Sequence, residues 1–274
     1  MRAEHPSAHE FARYLRVLGV AARPPSLEAL AELSAAHLYR VPFENLSKLL
    51  YRREPAMRLP PLERYLDGIE AHGFGGTCYS NNYHLHLLLR HLGYEARLCG
   101  ADMSHPDVHV VNVVRLEGRE WLVDVGYGAP FDAPMPLDEA RDVVLEHGSD
   151  RYVLKPRGPD GVSAMEQYRA GKLRHGYRVN PAARGIEEFA PVIDASFAPQ
   201  ATFMNAIMVV RHYAGGSVDL HNLHLRVLDA AGERSRELPD AGALPAAVEA
   251  HFGIDAALAR RALDGVDPAR DVFA

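Results

Sequence analysis

Signals for helices run along the chain as far as Gly93, and signals for strands begin at Tyr94, so the fold must join a helical layer to a sheet within one chain. Helical periodicity covers Ala8 to Leu18, Ser26 to His37 after the Pro24-Pro25 break, and Leu62 to Glu70 after Pro60-Pro61. A further apolar run, Tyr83, Leu85, Leu87, Leu88, Leu89 and Leu92, starts after Thr77 as N-cap and closes at Gly93. β-rich runs follow at Ala96-Arg97-Leu98-Cys99, at His109 to Leu116, at Glu120 to Val125 and at Asp150 to Leu154. A Pro- and Gly-rich connection near Gly185 to Pro199 leads to strand-like runs at Met204 to Val210 and Leu223 to Val227, then to helices at Leu244 to Phe252 and Ala256 to Ala262. The reading is α+β, with a helical domain over 1–93, a β domain over 94–186, a connection over 187–203 and an α/β lid over 204–274. A chain of 274 residues is long enough for such closely packed modules and an enclosed cleft.

Cys78 stands where a glycine turn meets a helix, in the run Phe74-Gly75-Gly76-Thr77-Cys78-Tyr79. Gly75-Gly76 allows unusual backbone angles and close approach. A thiol in the first helical turn sits among unpaired N–H groups and the positive end of the dipole, which favours the thiolate. The same N–H groups suit an oxyanion. The plainer reading of Cys78 is a small buried packing residue.

The strands that follow bear on that choice. If Glu117-Gly118 is a two-residue hairpin loop, Leu116 faces Arg119 and Val111 faces Asp124, which puts His109 and Asp124 on one face, diagonal to each other. A three-residue loop without a bulge would put them on opposite faces. The first register allows a carboxylate to orient an imidazole whose other nitrogen needs only Cys78 beside it, the logic of a Cys-His-Asp nucleophile. Asp124 also has a plainer use, opening the turn Asp124-Val125-Gly126-Tyr127-Gly128.

These residues resemble the arylamine N-acetyltransferase family, whose signature reads Arg-Gly-Gly-x-Cys-x-x-x-Asn and stands here as Phe74-Gly75-Gly76-Thr77-Cys78-Tyr79-Ser80-Asn81-Asn82. Three further matches lie at the family's intervals: Val41-Pro42-Phe43-Glu44-Asn45-Leu46, His109 at the head of its strand, and Asp124-Val125-Gly126-Tyr127-Gly128. The resemblance is specific over the first half of the chain and loose over the second. It implies a barrel-like central β domain, a cysteine-protease-like Cys-His-Asp triad and ping-pong acyl transfer. Cys78 would take an acetyl group from acetyl-CoA, His109 would serve as base and then acid, and Asp124 would orient it. A small arylamine or hydrazine would then attack the thioester. No permanent cofactor is implied. Gly126, Tyr127 and Gly128 become candidates for contact with CoA, although a turn needs glycines anyway, and Phe43, Phe131 and Tyr127 become candidate walls for an aromatic acceptor, although aromatics near a core usually pack.

The departures are specific too. Phe74 replaces the signature arginine, Ser80 stands where the family commonly has an acid, and Tyr79 where it commonly has Phe. Glu44 is a natural partner for the missing arginine, and a buried unpaired carboxylate is costly, so Glu44 is expected to be wetter here or held by another residue. The changes keep two alternatives open: an amide synthase of the same family that closes a bulky acyl chain on an internal arylamine, and a silent homologue that only binds small molecules. By triad chemistry alone a thiol hydrolase is a further reading, separated from transfer by exclusion of water.

A formal charge of −6 with no basic run argues against a nucleic-acid partner. Cys78 and Cys99 are too few for a disulfide framework and fit a reducing cytosol. The segment Met1 to Ser7 lacks a signal-peptide core, and no apolar stretch is long enough to span a membrane. The expectation is a cytoplasmic monomer or homodimer. Metal binding by His84, His86, His91 and His105 is not expected, because His84 and His86 point to different faces of a helix and no three ligands converge. Cys99, on an apolar alternating strand, reads as buried and inert.

Overall fold

The computed structural model describes residues 5–268, so Met1 to Glu4 of the N-terminal segment lie outside the described residues. Helices α1 (Ala8–Leu18) and α2 (Leu27–Arg40) come first, then strand β1 (Phe43–Glu44) and helices α3 (Leu46–Leu50), α4 (Leu62–His72) and α5 (Cys78–His91). Eight strands follow: β2 (Glu95–Asp102), β3 (His109–Leu116), β4 (Arg119–Val123), β5 (Met135–Pro136), β6 (Val143–His147), β7 (Asp150–Leu154), β8 (Ser163–Arg169) and β9 (Lys172–Ala183). They form one sheet in the order β5-β4-β3-β2-β9-β8-β7-β6, so sequence neighbours β5 and β6 lie at its two ends and the sheet curls toward a barrel. Short helices α6 (Ala190–Ala195) and α7 (Thr202–Asn205) occupy the connection that composition alone marks as a loop. Strands β10 (Met208–Tyr213), β11 (Gly216–His221), β12 (His224–Asp229) and β13 (Gly232–Glu237) complete the chain with helices α8 (Leu244–Phe252) and α9 (Ala256–Ala262).

The C-terminal sheet has the order β1-β10-β11-β12-β13, so its edge strand comes from the N-terminal third. Phe43 pairs with Val210 and Glu44 with Val209. Asn45 fastens this join: its Nδ2 donates to the carbonyls of Phe203 and Ala206 at 2.9 and 2.6 Å, and its Oδ1 accepts from Met208 N–H at 2.8 Å. A two-residue strand has no readable period, which is why the hydrophobic pattern does not reveal it.

Helix α5 is buried continuously from Cys78 to Leu85, because it lies between the helical layer and the barrel-like sheet. Leu85, Leu88 and Leu89 join Leu30, Leu62 and Leu66 on one side and Val114 and Val123 of the sheet on the other. Burial of a helix on all sides normally excludes polar residues, so those present must be satisfied. Asn112 Nδ2 donates to the Asn82 carbonyl at 2.9 Å, and Asn82 Nδ2 donates to the Val110 carbonyl at 2.7 Å. These bonds set the height of α5 against β3. Among the described residues, no helix is long and apolar enough to cross a membrane.

Candidate active site

The glycine turn before Cys78 is fixed by sterics. A Cβ on Gly75 would lie 1.9 Å from the Pro42 carbonyl oxygen and 2.9 Å from Val41 Cγ1, so only glycine lets the turn lie against the segment before β1. Gly76 adopts φ +117° and turns the chain into α5. Thr77 is the N-cap by position, but its side chain makes no capping bond, contrary to the sequence reading. The first intrahelical bond runs from Asn81 N–H to the Thr77 carbonyl, which leaves the N–H groups at the Cys78 end uncapped by a side chain.

Strands β3 and β4 pair Leu116 with Arg119 and Asn112 with Val123, the register of a two-residue loop. Glu117 and Gly118 take φ of +52° and +77°, as a type I′ turn requires. His109 and Asp124 therefore share a face, and His109 Nε2 donates to Asp124 Oδ2 at 2.9 Å, with both side chains buried. Asp124 is held by four donors in all: His109 and Tyr177 O–H at 2.8 Å on Oδ2, Asn82 Nδ2 at 2.8 Å and Gly126 N–H at 3.0 Å on Oδ1. Burial alone would raise its pKa, but the charge of His109 and these bonds keep it lowered.

Cys78 lies against the His109 ring. Its Sγ donates to the Val108 carbonyl at 3.8 Å, and its hydrogen bond and charge help to raise the imidazole. Burial pulls the His109 pKa down, yet Asp124 and Cys78 outweigh it and raise it to about 10. A charged imidazole thus lies between the Asp124 carboxylate and the Cys78 sulfur.

The other candidates fall into place around this core. Gly126 packs on the start of α5: a Cβ there would meet Cys78 Cα at 2.8 Å and Asn82 Nδ2 at 2.6 Å. Its lack of a side chain docks the loop on the helix. Gly128 has φ +78°, and a Cβ there would meet the Phe43 ring at 3.5 Å. The Tyr127 ring lies 5.5 Å from His109 and stacks on Phe131 at 6.0 Å, with its hydroxyl 2.5 Å from His175 Nδ1. Phe131 is buried in the barrel core, and Phe43 meets Phe203 edge-on at 5.8 Å. Tyr127 and Phe131 therefore form one aromatic neighbourhood beside His109, while Phe43 packs on Phe203. Sequence reasoning missed Tyr177, which lies on β9, 53 residues after Asp124. It also assigned no role to Asn82 beyond its place in the signature, although Asn82 binds both Asp124 and the Val125 N–H, the latter at 3.0 Å.

Glu44 corrects one expectation. It is completely buried, not wetter, and among the described residues it is held by Ser47 and a backbone amide rather than by a cation. Ser47 N–H and Oγ donate to it at 2.8 and 2.6 Å, and Gly75 N–H donates at 3.2 Å. Burial raises its pKa against these donors. Phe74 takes the arginine's place by packing edge-on against Tyr51 at 6.5 Å within the C-terminal core.

The histidines weighed as metal ligands each have other partners, His105 bonding Ser104 Oγ at 3.2 Å. His84 bonds the Ser80 and Pro60 carbonyls at 2.7 and 3.0 Å, His86 bonds Asn112 Oδ1 at 2.9 Å, and His91 stacks on Phe11 at 4.1 Å. Cys99 is buried, and burial pushes its thiol up to about 11.

Known proteins similar in sequence and shape decide the family. A family model described as N-acetyltransferase matches residues 26–261, most of the chain. The chain belongs to the arylamine N-acetyltransferase family. Arylamine N-acetyltransferase of Escherichia coli is 27% identical over 275 residues, covering 97% of this chain and 91% of that protein. Proansamycin X synthase of Amycolatopsis mediterranei is 34% identical over 148 residues, 48% of this chain and 56% of that enzyme. The structure of Mycobacterium marinum arylamine N-acetyltransferase in complex with CoA superposes with a TM-score of 0.76 at 23% identity, covering 94% of this chain and 98% of that one. Membership in the arylamine N-acetyltransferase family makes this chain a transferase and accounts for the helical layer, barrel-like sheet and C-terminal sheet as one shared fold.

Proposed function

We propose that this protein moves an acetyl group from acetyl-CoA to an arylamine or arylhydrazine by a ping-pong mechanism through a thioester on Cys78. The observation that carries the reading is the buried His109–Asp124 bond of 2.9 Å with Cys78 on the same imidazole. The Cys78 thiolate attacks the thioester carbonyl, and the uncapped N–H groups at the start of α5 stabilise the oxyanion. The bond from carbonyl carbon to the CoA sulfur breaks, and the CoA thiolate leaves with the proton held by His109. His109 then takes a proton from the attacking amine as Cys78 leaves. Asp124 holds the ring in the tautomer that both steps need, while Asn82, Tyr177 and Gly126 N–H hold Asp124. Phe43, Phe131 and Tyr127 provide the aromatic surroundings of the acceptor, and Gly126 to Gly128 the nearest backbone for CoA. A superposable relative crystallised with CoA supports the donor class.

Phe189 and Ile193 pack with Cys78 and restrict water, which favours transfer over hydrolysis. Two free, buried thiols suit a reducing compartment. The similarity to proansamycin X synthase keeps a second reading, transfer of a bulkier acyl chain onto an internal arylamine. Initial rates decide between modes of transfer. Varying acetyl-CoA at several arylamine concentrations should give parallel double-reciprocal lines. Intersecting lines would overturn the thioester route.

A further inference from the structure

Beside the Gly75-Gly76-Thr77 turn lies a cavity of about 50 Å³, lined among others by Lys48, Arg58, Arg64, Thr77, Ser80 and Phe197. Its charge is unbalanced. Lys48 Nζ donates to Ser196 Oγ at 2.6 Å and stands 3.9 Å from the centre of the Phe197 ring, and neither is an anion. Arg58 meets Asp194 at 2.5 Å, but its Nε is buried without a partner. Arg64 approaches Asp67 no closer than 4.0 Å. Among the described residues, three cations thus line the cavity with one close carboxylate between them. A lysine held mostly out of water with no carboxylate beside it is costly. That burial, with the charge of Arg58, lowers its pKa to about 8 against an opposing effect of Cys78.

The cavity begins at Thr77 and Ser80, one residue before and two residues after Cys78. The phosphates of CoA are separated from its sulfur by the whole pantetheine arm, too far to serve a cavity beside the nucleophile. Its volume suits a group of one or two water-sized units, the size of a carboxylate. Phe197 links it to the thiol, since the ring packs in the cluster around Cys78 and carries Lys48 on its face.

We propose that Lys48 anchors a carboxylate carried by a substrate of Cys78, so that an acidic acyl donor or an acidic aromatic amine is preferred over its neutral counterpart. The proposal rests on the transferase reading above. With an acidic donor, the Cys78 sulfur bonds to the thioester carbonyl carbon, the carbon–sulfur bond to CoA breaks, and the CoA thiolate leaves with the proton from His109. The carboxylate is unchanged and pairs with Lys48.

The test is rapid-quench mass spectrometry of the full chain and its Lys48→Met, Lys48→Arg and Arg64→Met variants. One arm compares loading by malonyl-CoA and succinyl-CoA with loading by acetyl-CoA; the other compares discharge of the acetylated protein by 4-aminobenzoate and by aniline. Lys48→Met should lower the acidic-to-neutral rate ratio about 10- to 100-fold in one arm, the effect of losing a charge-assisted bond. Lys48→Arg should keep most of the ratio. Loss in the loading arm assigns the carboxylate to the donor, and loss in the discharge arm assigns it to the acceptor. Unchanged ratios in both arms, or equal loss for acidic and neutral substrates, would overturn the proposal. If Lys48→Met does not fold, the ratio in Arg64→Met decides, with a smaller drop expected and none contradicting. Failure of the unmodified protein to load acetyl at all would instead sink the transferase reading.

Discussion

Asp124→Asn should lower acyl transfer by roughly 10³- to 10⁴-fold while leaving the protein folded, an effect of the size expected for a wrong imidazole tautomer. Every neighbour of this carboxylate is a donor. Gly126 N–H and Asn82 Nδ2 meet Oδ1, and Tyr177 O–H and His109 Nε2–H meet Oδ2. The backbone N–H cannot turn away, so an asparagine would keep its oxygen there and present its NH₂ to Tyr177 and His109. Tyr177 can rotate its hydroxyl and accept. His109 can accept at Nε2 only by moving its proton to Nδ1, the nitrogen that must receive the proton of Cys78. Loss of the negative charge acts in the same direction, because burial of His109 would then go uncompensated. The pH dependence has a definite sign. In the unmodified protein the raised imidazole stays charged until about pH 10, so its contribution to stability is present below its ordinary value of 6.5 and is lost as pH rises through 10. The variant should lose rate at neutral pH, stay folded there with a lower melting temperature, and alkylate more slowly at Cys78. A rate within ten-fold of the unmodified protein would count against the role assigned to Asp124.

Gly75→Ala should destabilise the fold by about 3 kcal/mol or more, because the added methyl has no space and no flexible neighbour to displace. It would lie 1.9 Å from the Pro42 carbonyl oxygen, which is backbone. Moving the turn away breaks more than one contact. Gly75 N–H donates to Glu44, and Glu44 N–H donates to the Gly76 carbonyl at 3.0 Å, so the turn and β1 hold each other. Glu44 is completely buried and rests on a few donors, so the loss of one leaves a buried carboxylate oxygen short of a partner. β1 in turn joins the C-terminal sheet, and a change beside Cys78 should therefore loosen residues 208–221. Denaturant unfolding measures the loss, and hydrogen exchange in β10 and β11 should report the spread. By contrast, Gly118→Ala meets nothing within 4 Å and carries only the cost of a positive φ. Equal stabilities for the two variants would contradict the close-approach account.

The elements that sequence made legible are those with local signals. The α5 start follows from the glycine turn and the apolar run, and the register of His109 and Asp124 follows from Glu117-Gly118 as a two-residue loop. What was illegible depended on partners far along the chain. Tyr177 sits in a long strand whose first half is exposed, so its pattern gave no sign that one hydroxyl turns inward to Asp124. Glu44 was readable as an acid that needs a new partner or more water, but not as a fully buried one held by Ser47 and backbone amides, since those bonds depend on the turn into α3. The Lys48 cavity needs α3, α4, the Cys78 turn and the segment after α6 to meet, and spacing along the chain cannot show such convergence.

The central claim is that Cys78 carries the acyl group. Its most direct test is the intact mass of the protein after incubation with acetyl-CoA and no acceptor, beside Cys78→Ser. The account predicts a gain of one acetyl group, absent from Cys78→Ser and removed when an arylamine is added. A protein that gains no acetyl group, together with a Cys78 thiol inert to alkylation, would contradict it and point to a fold kept for binding alone.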